Sequence, residues 1–463
     1  MKNTDLFIGE NMFADLDSNA AVDHLCKAIR CRTTSYIDTS KIDYSEFDKL
    51  REVMKEAFPN VFSKGTFELV DYSVLICFEG SDPSLKPALF MSHQDVVPVV
   101  KGTENDWKHD AFSGDIADGY IWGRGALDIK NQVFATLEAM EYLLSKGCSF
   151  RRTVYLAFGQ DEETVQTGAY AIGQLLKKRG VELEYLVDEG GGNVTDAAVY
   201  GAPGILTATI ALYEKGYADL KISAKSKGGH SSRPFHGTSL GHLAKAISTI
   251  VDHPLEPKMS ETVLDALQIL RPYITEEPMK TYVSDPEKYM NELVAHWLST
   301  PALFNQIITT IAPTMISEGS QAGNVMPQNM DAVINFRLAP QDNLDSLMAH
   351  CRALVEDELE LSYVNANEAS RPSSADSYGY KMMAEVLGRY YKNLVFIPSV
   401  STGSTDARNY ECICSCCMRR SPFMEEGEVS AEGVHGTNER ISVRAYIQGI
   451  RVLIDFITST CVK

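Results

Sequence analysis

One recurring junction narrows what this chain can fold into: a short apolar run closes on an ionisable side chain, and an amphipathic stretch follows. ALFMSH at 88–93 ends on His93, with Asp95 just beyond. RTVYLAFGQ at 152–160 leads into Asp161, Glu162 and Glu163, and EYLVDEGG at 184–191 delivers Asp188 and Glu189. Apolar runs of this length read as buried strands. NQVFATLEAMEYLLSKG and TGAYAIGQLLKKRG, standing between them, read as amphipathic helices closed by Gly147 and Gly180. The alternation predicts an α/β fold built on a largely parallel, helix-covered sheet.

At 463 residues the chain exceeds what one hydrophobic core usually supports, so two domains are expected. The texture changes near residue 212. EKGYADLKISAKS alternates like a strand, SLGHLAKAISTIVDH reads as a helix, 254–310 is polar and helix-rich, and DAVINFRLAP at 331–340 is a half-buried strand. From about residue 370 the first pattern resumes and runs to a final helix from Ile441. The predicted organisation is a catalytic domain in two parts, 1–211 and 365–463, interrupted by a smaller inserted α+β domain at 212–364. Whether 254–310 reshapes a pocket or makes a dimer contact stays open.

A formal net charge of −19 excludes a nucleic-acid binder, since little would neutralise phosphates. The N-terminus lacks a basic stretch followed by an apolar segment, and no window approaches the ~18 apolar residues of a membrane span. Ten cysteines show no disulfide framework. These features set the expectation of a cytoplasmic protein with reduced thiols and no membrane partner.

Taken singly, the ionisable residues have ordinary readings. His93 and Asp95 share a strand face and form a polar pair. Asp128, after the turn-forming Gly123 and Gly125, reads as a helix N-cap. Asp161, Glu162 and Glu163 read as solvated loop charge. The order is what carries weight: His, Asp, Glu and Asp leave successive strand ends, and His435 arrives from the returning half. Ligands bind beyond the carboxyl ends of strands in such sheets. Three carboxylates with two imidazoles suit a pair of zinc ions sharing a bridge. Cys412, Cys414, Cys416 and Cys417 tempt as a thiolate site, but spacing by two strings three of them along one strand face, so buried free thiols are expected.

SHQDVVPV, Trp107 before FSGDIADGYIWGRGALDIKN, GQDEET, LVDEGG, GGHSSRP, NVMP, NFRLAP, STGSTDAR and VHGTNERI follow in one order. Over roughly residues 20–455 that order resembles the co-catalytic zinc aminoacylase and carboxypeptidase family, which includes glutamate carboxypeptidase and succinyl-diaminopimelate desuccinylase. Lys130 and Asn131 resemble its glycine-X carboxypeptidase (carboxypeptidase S) and N-acyl-amino-acid hydrolase branch. The resemblance implies a zinc-peptidase-like fold with a lid or dimerisation domain, and two zinc ions whose sites manganese or cobalt can also occupy. It implies that Asp128 bridges the ions after a cis Asp128–Ile129 peptide. His93 and Asp188 complete one site, Glu163 and His435 the other, with Glu162 as general acid/base and Asp95 orienting His93.

His230 is the expected oxyanion donor, reaching the metals by domain closure or from the other chain of a homodimer. Arg337 is expected to clamp the substrate carboxylate, with Asn324, Gly403 and Ser404 in the same pocket. The expected reaction releases a C-terminal amino acid from a peptide or N-acyl amino acid. A dedicated deacylase of a metabolic intermediate, a non-catalytic binding protein on this scaffold, and a structural calcium site are the alternatives; the histidines speak against calcium.

Overall fold

The computed structural model describes residues 6–191, 194–234, 237–320, 322–425 and 433–462. Strands buried at every residue, as the apolar runs require, stand in the middle of a nine-stranded sheet. Across it lie Thr66–Val70, Ser73–Phe78, Val154–Gly159, Ala88–His93, Tyr185–Asp188, Cys417–Arg419, Leu206–Glu214 and Leu394–Ser401, with Thr195–Asp196 on Leu206–Glu214. Ala88–His93 is parallel to both its neighbours, and Tyr185–Asp188 is parallel to Cys417–Arg419. Leu206–Glu214 and Leu394–Ser401 are also parallel, while the two strands around 66–78 add an antiparallel flank. The strands ending at His93 and Asp188, and Val154–Gly159 with its following acidic turn, therefore run the same way and deliver their ends to one rim.

Strand periodicity decides which helix each residue meets. Phe90, Leu156, Phe158 and Val187 face a core shared with Val133, Phe134 and Leu137 of the helix Lys130–Ser145. Leu89, Met91, Ala157 and Leu186 face the opposite layer, with Ala169, Ile172 and Leu176 of the helix Thr167–Lys178. Lys130–Ser145 is buried almost all round because Ser18–Ile29 and the C-terminal helix Val443–Ile457 cover its outer side. Contrary to the expectation that no stretch is long and apolar enough to cross a membrane, Val443–Val462 passes by length and composition. It is apolar because it is a core helix, with 78% of the stretch buried inside the protein. Cys414, Cys416 and Cys417 are buried thiols and Cys412 is exposed.

The main-sheet strand runs to Glu214, and a second sheet begins at Gly216. It is antiparallel throughout, ordered Thr310–Glu318, Asn329–Leu338, Gly216–Lys225 and Glu360–Asn367. Asn329–Leu338 alternates in burial as the sequence predicts, and its inner face packs with the helices Ser239–Asp252 and Leu344–Leu354 in a separate core. The segment 254–310 goes elsewhere. Its helices Glu261–Leu270, Met279–Tyr282 and Met290–Ser299 bury Leu267, Met279 and Trp297 in a cluster with Tyr200 and Ile397 of the main-sheet half.

The returning chain also pairs with the first half. Arg440–Ser442 lies antiparallel to Tyr120–Trp122, which pairs with Asp115–Ala117. This small sheet places VHGTNERI against GRGALDIKN.

Candidate metal centre

At the rim, Asp128 stands between two imidazoles. Its Oδ1 lies 3.2 Å from His93 Nε2 and its Oδ2 3.0 Å from His435 Nε2. His93 Nε2 is also 3.4 Å from Glu189 Oε1, and His435 Nε2 is 2.9 Å from Glu163 Oε2. The result is two three-residue groups that share one carboxylate: His93, Asp128 and Glu189, and Asp128, Glu163 and His435.

Backbone geometry brings them there. Gly123 and Gly125 take φ of 145° and 89°, turning the chain before Asp128, and the Asp128–Ile129 peptide is cis. Asp95 binds four neighbours. His93 Nδ1 is 2.9 Å from its carbonyl oxygen and 3.3 Å from Oδ1, while its carboxylate accepts Glu162 N at 3.1 Å and Glu163 N at 3.2 Å. A hydrogen bond from Ser35 Oγ, 2.6 Å, completes it. One buried acid thus aims His93 and fixes the turn carrying Glu162 and Glu163. Glu162 Oε2 lies 4.0 Å from His93 Nε2, and Gln166 Nε2 donates to its Oε1 at 2.9 Å.

Several expected residues are placed differently. Asp188 does not join the His93 group. Its carboxylate accepts the N–H of Glu189 and that of Ala407, both at 2.8 Å, and Glu189 takes the place beside His93. Asp161 turns away from the acidic triplet to accept Thr167 N and Gly168 N at the start of its helix. His230 is exposed on a two-residue ladder with Val325–Met326, its Nδ1 occupied by Ser232 N at 3.1 Å, and it is not among the metal-centre or cleft residues. Asn324 sits beside it, its carbonyl accepting Ser231 N.

Arg337 and Ser404 do line the cleft between the two sheets, an opening of about 870 Å³ walled also by Glu162, Glu163 and His435. Arg337 lies over the Tyr217 ring at 4.7 Å and donates to Thr402 O. Gly403 stays at the loop tip, where its carbonyl accepts Ser401 Oγ. Sequence reasoning assigned no role to two further cleft cations, Lys215 and Arg408; the arginine of STGSTDAR was the available signal for the second.

The electrostatics call for positive charge beyond two imidazoles. Burial holds Glu162 well above its ordinary range, with Glu189 adding repulsion, and burial together with Asp128 pushes Glu189 up to about 8. Burial also raises Asp128, but hydrogen bonds from His435 and His93 outweigh it and hold that carboxyl well below its usual value. Hydrogen bonds to Asp128 and Glu163 raise His435 to about 10. Among the described residues, Glu163 Oε1 and both oxygens of the buried Asp406 have no hydrogen-bond partner. Carboxylates crowded and buried in this way are stabilised by a cation, and a His–carboxylate donor set fits zinc. The residues present therefore fit a metal pair.

The model of peptidase family M20/M25/M40 matches residues 89–459. A probable carboxypeptidase S-like 2 of Dictyostelium discoideum is 32% identical over 96% of this chain and 85% of its own length. The N-fatty-acyl-amino acid synthase/hydrolase PM20D1 of Homo sapiens is 31% identical over 96% and 89%. Among solved structures, the M20 family metallo-carboxypeptidase Sso-CP2 of Sulfolobus solfataricus aligns with a TM-score of 0.64 at 19% identity, covering 95% of this chain and 98% of that one. Human carnosine dipeptidase 1 aligns with a TM-score of 0.61 at 17% identity, covering 97% and 98%. With its rim of paired imidazoles and carboxylates and a family match over most of its length, the chain belongs to the metal-dependent peptidase family M20/M25/M40.

Proposed function

We propose that the protein hydrolyses the amide bond of a peptide or N-acyl amino acid at two zinc ions, releasing an amino acid with a free carboxylate. The observation that carries this reading is Asp128 offering one oxygen to each imidazole, with a further carboxylate on each side. In this reading His93, Asp128 and Glu189 hold one ion, and Asp128, Glu163 and His435 hold the other. Bound zinc supplies Lewis acidity and lowers the pKa of water to about 7.

The chain's own groups do the rest. Glu162, kept proton-hungry by burial and aimed by Gln166, takes the proton from water and returns it to the departing amine. Arg337, with Lys215 and Arg408, faces the leaving amino acid's carboxylate across the cleft. On the Asp128 and Glu189 side, a recess of about 280 Å³ walled by Leu127, Ile129, Phe423 and Met424, and equally by Asn131, Arg420 and Glu425, supports an acyl or peptidyl group there. Reduced thiols at all ten cysteines support the cytoplasm as the place of action.

His230 is the proposed oxyanion donor. Its exposed place outside the metal groups and the cleft favours supply by the second chain of a homodimer formed through the inserted domain. The exposed edge strand Thr310–Glu318, where Met315 and Ile316 are each 61% exposed, supports such pairing.

The test is turnover of a panel of dipeptides and N-acyl amino acids, with and without a free terminal carboxylate, by wild type and Glu162→Gln. Wild type should favour substrates with a free carboxylate. The variant should keep its zinc and lose roughly 10²–10⁴-fold in kcat. A variant keeping more than about a tenth of kcat removes Glu162 from the role of base.

A further inference from the structure

Glu439 and Arg124 lie outside both metal groups, yet each is almost fully buried, at 0% and 2% exposure. Glu439 Oε1 accepts three backbone N–H groups, from Gly125 at 3.0 Å, Leu127 at 2.8 Å and Asp128 itself at 3.0 Å. Its Oε2 accepts Arg124 Nη1 at 2.6 Å. Through Nη2, the same guanidinium donates to the carbonyls of His435 at 3.2 Å and Gly436 at 3.1 Å, and it lies 5.4 Å from the centre of the Trp107 ring. The loop carrying Asp128 and the loop carrying His435 are thus wound onto one ion pair.

The other ligands are anchored independently. His93 ends a central strand and is aimed by Asp95, and Glu189 follows a neighbouring strand fixed through Asp188. Glu163 hangs from Asp95. The His435 ring is half exposed, with 53% of its surface open, and among the described residues it pairs with Asp128 and Glu163. The ladder of Arg440–Ser442 on Tyr120–Trp122 and the hydrogen bond from Gly123 N to Glu439 O bring the two loops together, and the bond from Arg124 to the His435 carbonyl fixes the backbone of the ligand itself.

We infer that the Glu439–Arg124 pair is a positioning clamp that sets the affinity of the second ion, the one held by Asp128, Glu163 and His435, far more than that of the first. The inference rests on the two-ion reading above. The charge matters as well as the shape. In Glu439→Gln one amide oxygen can still accept the three N–H groups, but the amide N–H₂ then faces Arg124, donor against donor. Arg124 must withdraw, and the His435 carbonyl loses its partner. Arg124→Lys keeps the positive charge but lacks the planar fork that reaches Glu439 and two carbonyls together.

The test exposes zinc-loaded wild type, Glu439→Gln and Arg124→Lys to buffered free-zinc concentrations, counting zinc per chain. Wild type should release two ions. Both variants should hold the first ion within about threefold of wild type and release the second at a free-zinc level 10–100-fold higher, the range typical of residues that orient metal ligands. Arg124→Lys, which leaves no buried acid without a cationic neighbour, decides the matter if Glu439→Gln fails to fold. Two ions held by the variants as in wild type, or both ions weakened by one common factor, would overturn the clamp. A wild type that takes up a single ion would instead sink the two-ion reading and the inference with it.

Discussion

Asp188 and Glu189 are neighbouring acids at the end of one strand, and only one of them meets His93. Successive side chains of a strand leave on opposite faces, so a pair of adjacent carboxylates cannot both face the same imidazole. Asp188, still within the strand and 1% exposed, accepts the N–H groups of Glu189 and Ala407. Glu189, past the strand end, reaches His93. On the proposed two-zinc reading, Glu189→Gln should therefore lose about one ion per chain, whereas Asp188→Asn should keep the full complement and act only by loosening the 404–408 loop. Elemental analysis of the two variants checks this; zinc loss confined to Asp188→Asn would hand the ligand role back to Asp188. At this scale the sequence made the chemistry legible but not the register. His93, Asp128, Glu163 and His435 read singly as ordinary polar, capping or loop residues, and only their order along the chain and the family resemblance pointed to them as one set. The choice between Asp188 and Glu189, and the turning of Asp161 into its helix start, depends on which side of a backbone each carboxylate leaves, and both options have the same side-chain chemistry.

The strands and their helices were legible at the scale of elements because burial on both faces demands unbroken apolar runs, and Ala88–His93 is such a run. The placement of 254–310 was not. Its helices close a core with Tyr200 and with Ile397, a residue about a hundred positions downstream, and nothing in helical periodicity names such a partner. The crossing between the two sheets was also hidden. Glu214 N donates to Ser370 Oγ at 2.6 Å and Ser370 N to Glu214 O at 3.0 Å, so the outgoing and returning chains are bonded side by side. At Gly216 a Cβ would lie 2.7 Å from Ala369 N and 2.8 Å from Asn367 O, backbone atoms that can yield only by moving the two crossings apart. Gly216→Ala should cost about 1–3 kcal/mol in stability and, by tilting Arg337 and Lys215 away from the metals, lower kcat/KM by about tenfold with zinc retained. Gly388→Ala, at the end of the helix Tyr378–Gly388 where a Cβ meets nothing within 4 Å, is the control and should leave kcat/KM unchanged with stability equal or slightly higher. An active, stable Gly216→Ala would show that the crossings are free to separate.

Across the whole molecule, the positions of His230 and Glu162 belong to different parts of the fold. Glu162 stands at the metal rim, while His230 lies exposed on the lid ladder with its Nδ1 engaged by Ser232. If the proposed homodimer supplies His230 in trans, each working site needs Glu162 from one chain and His230 from the other. The two defects then complement one another in a predictable way. Glu162→Gln and His230→Ala should each be inactive alone. A heterodimer of the two has one site that unites an intact Glu162 with an intact His230, and one site that lacks both. Random pairing of equal amounts makes half the dimers heterodimers, so mixed chains should recover about a quarter of wild-type activity. Supply in cis predicts no recovery at any mixing ratio, because every chain then carries one lesion in its own site. Co-expression with separate affinity tags, followed by purification of the doubly tagged dimer, turns that contrast into a single measurement. Activity near half of wild type in that species requires the histidine to cross between subunits, and its absence confines catalysis to one chain closing on itself.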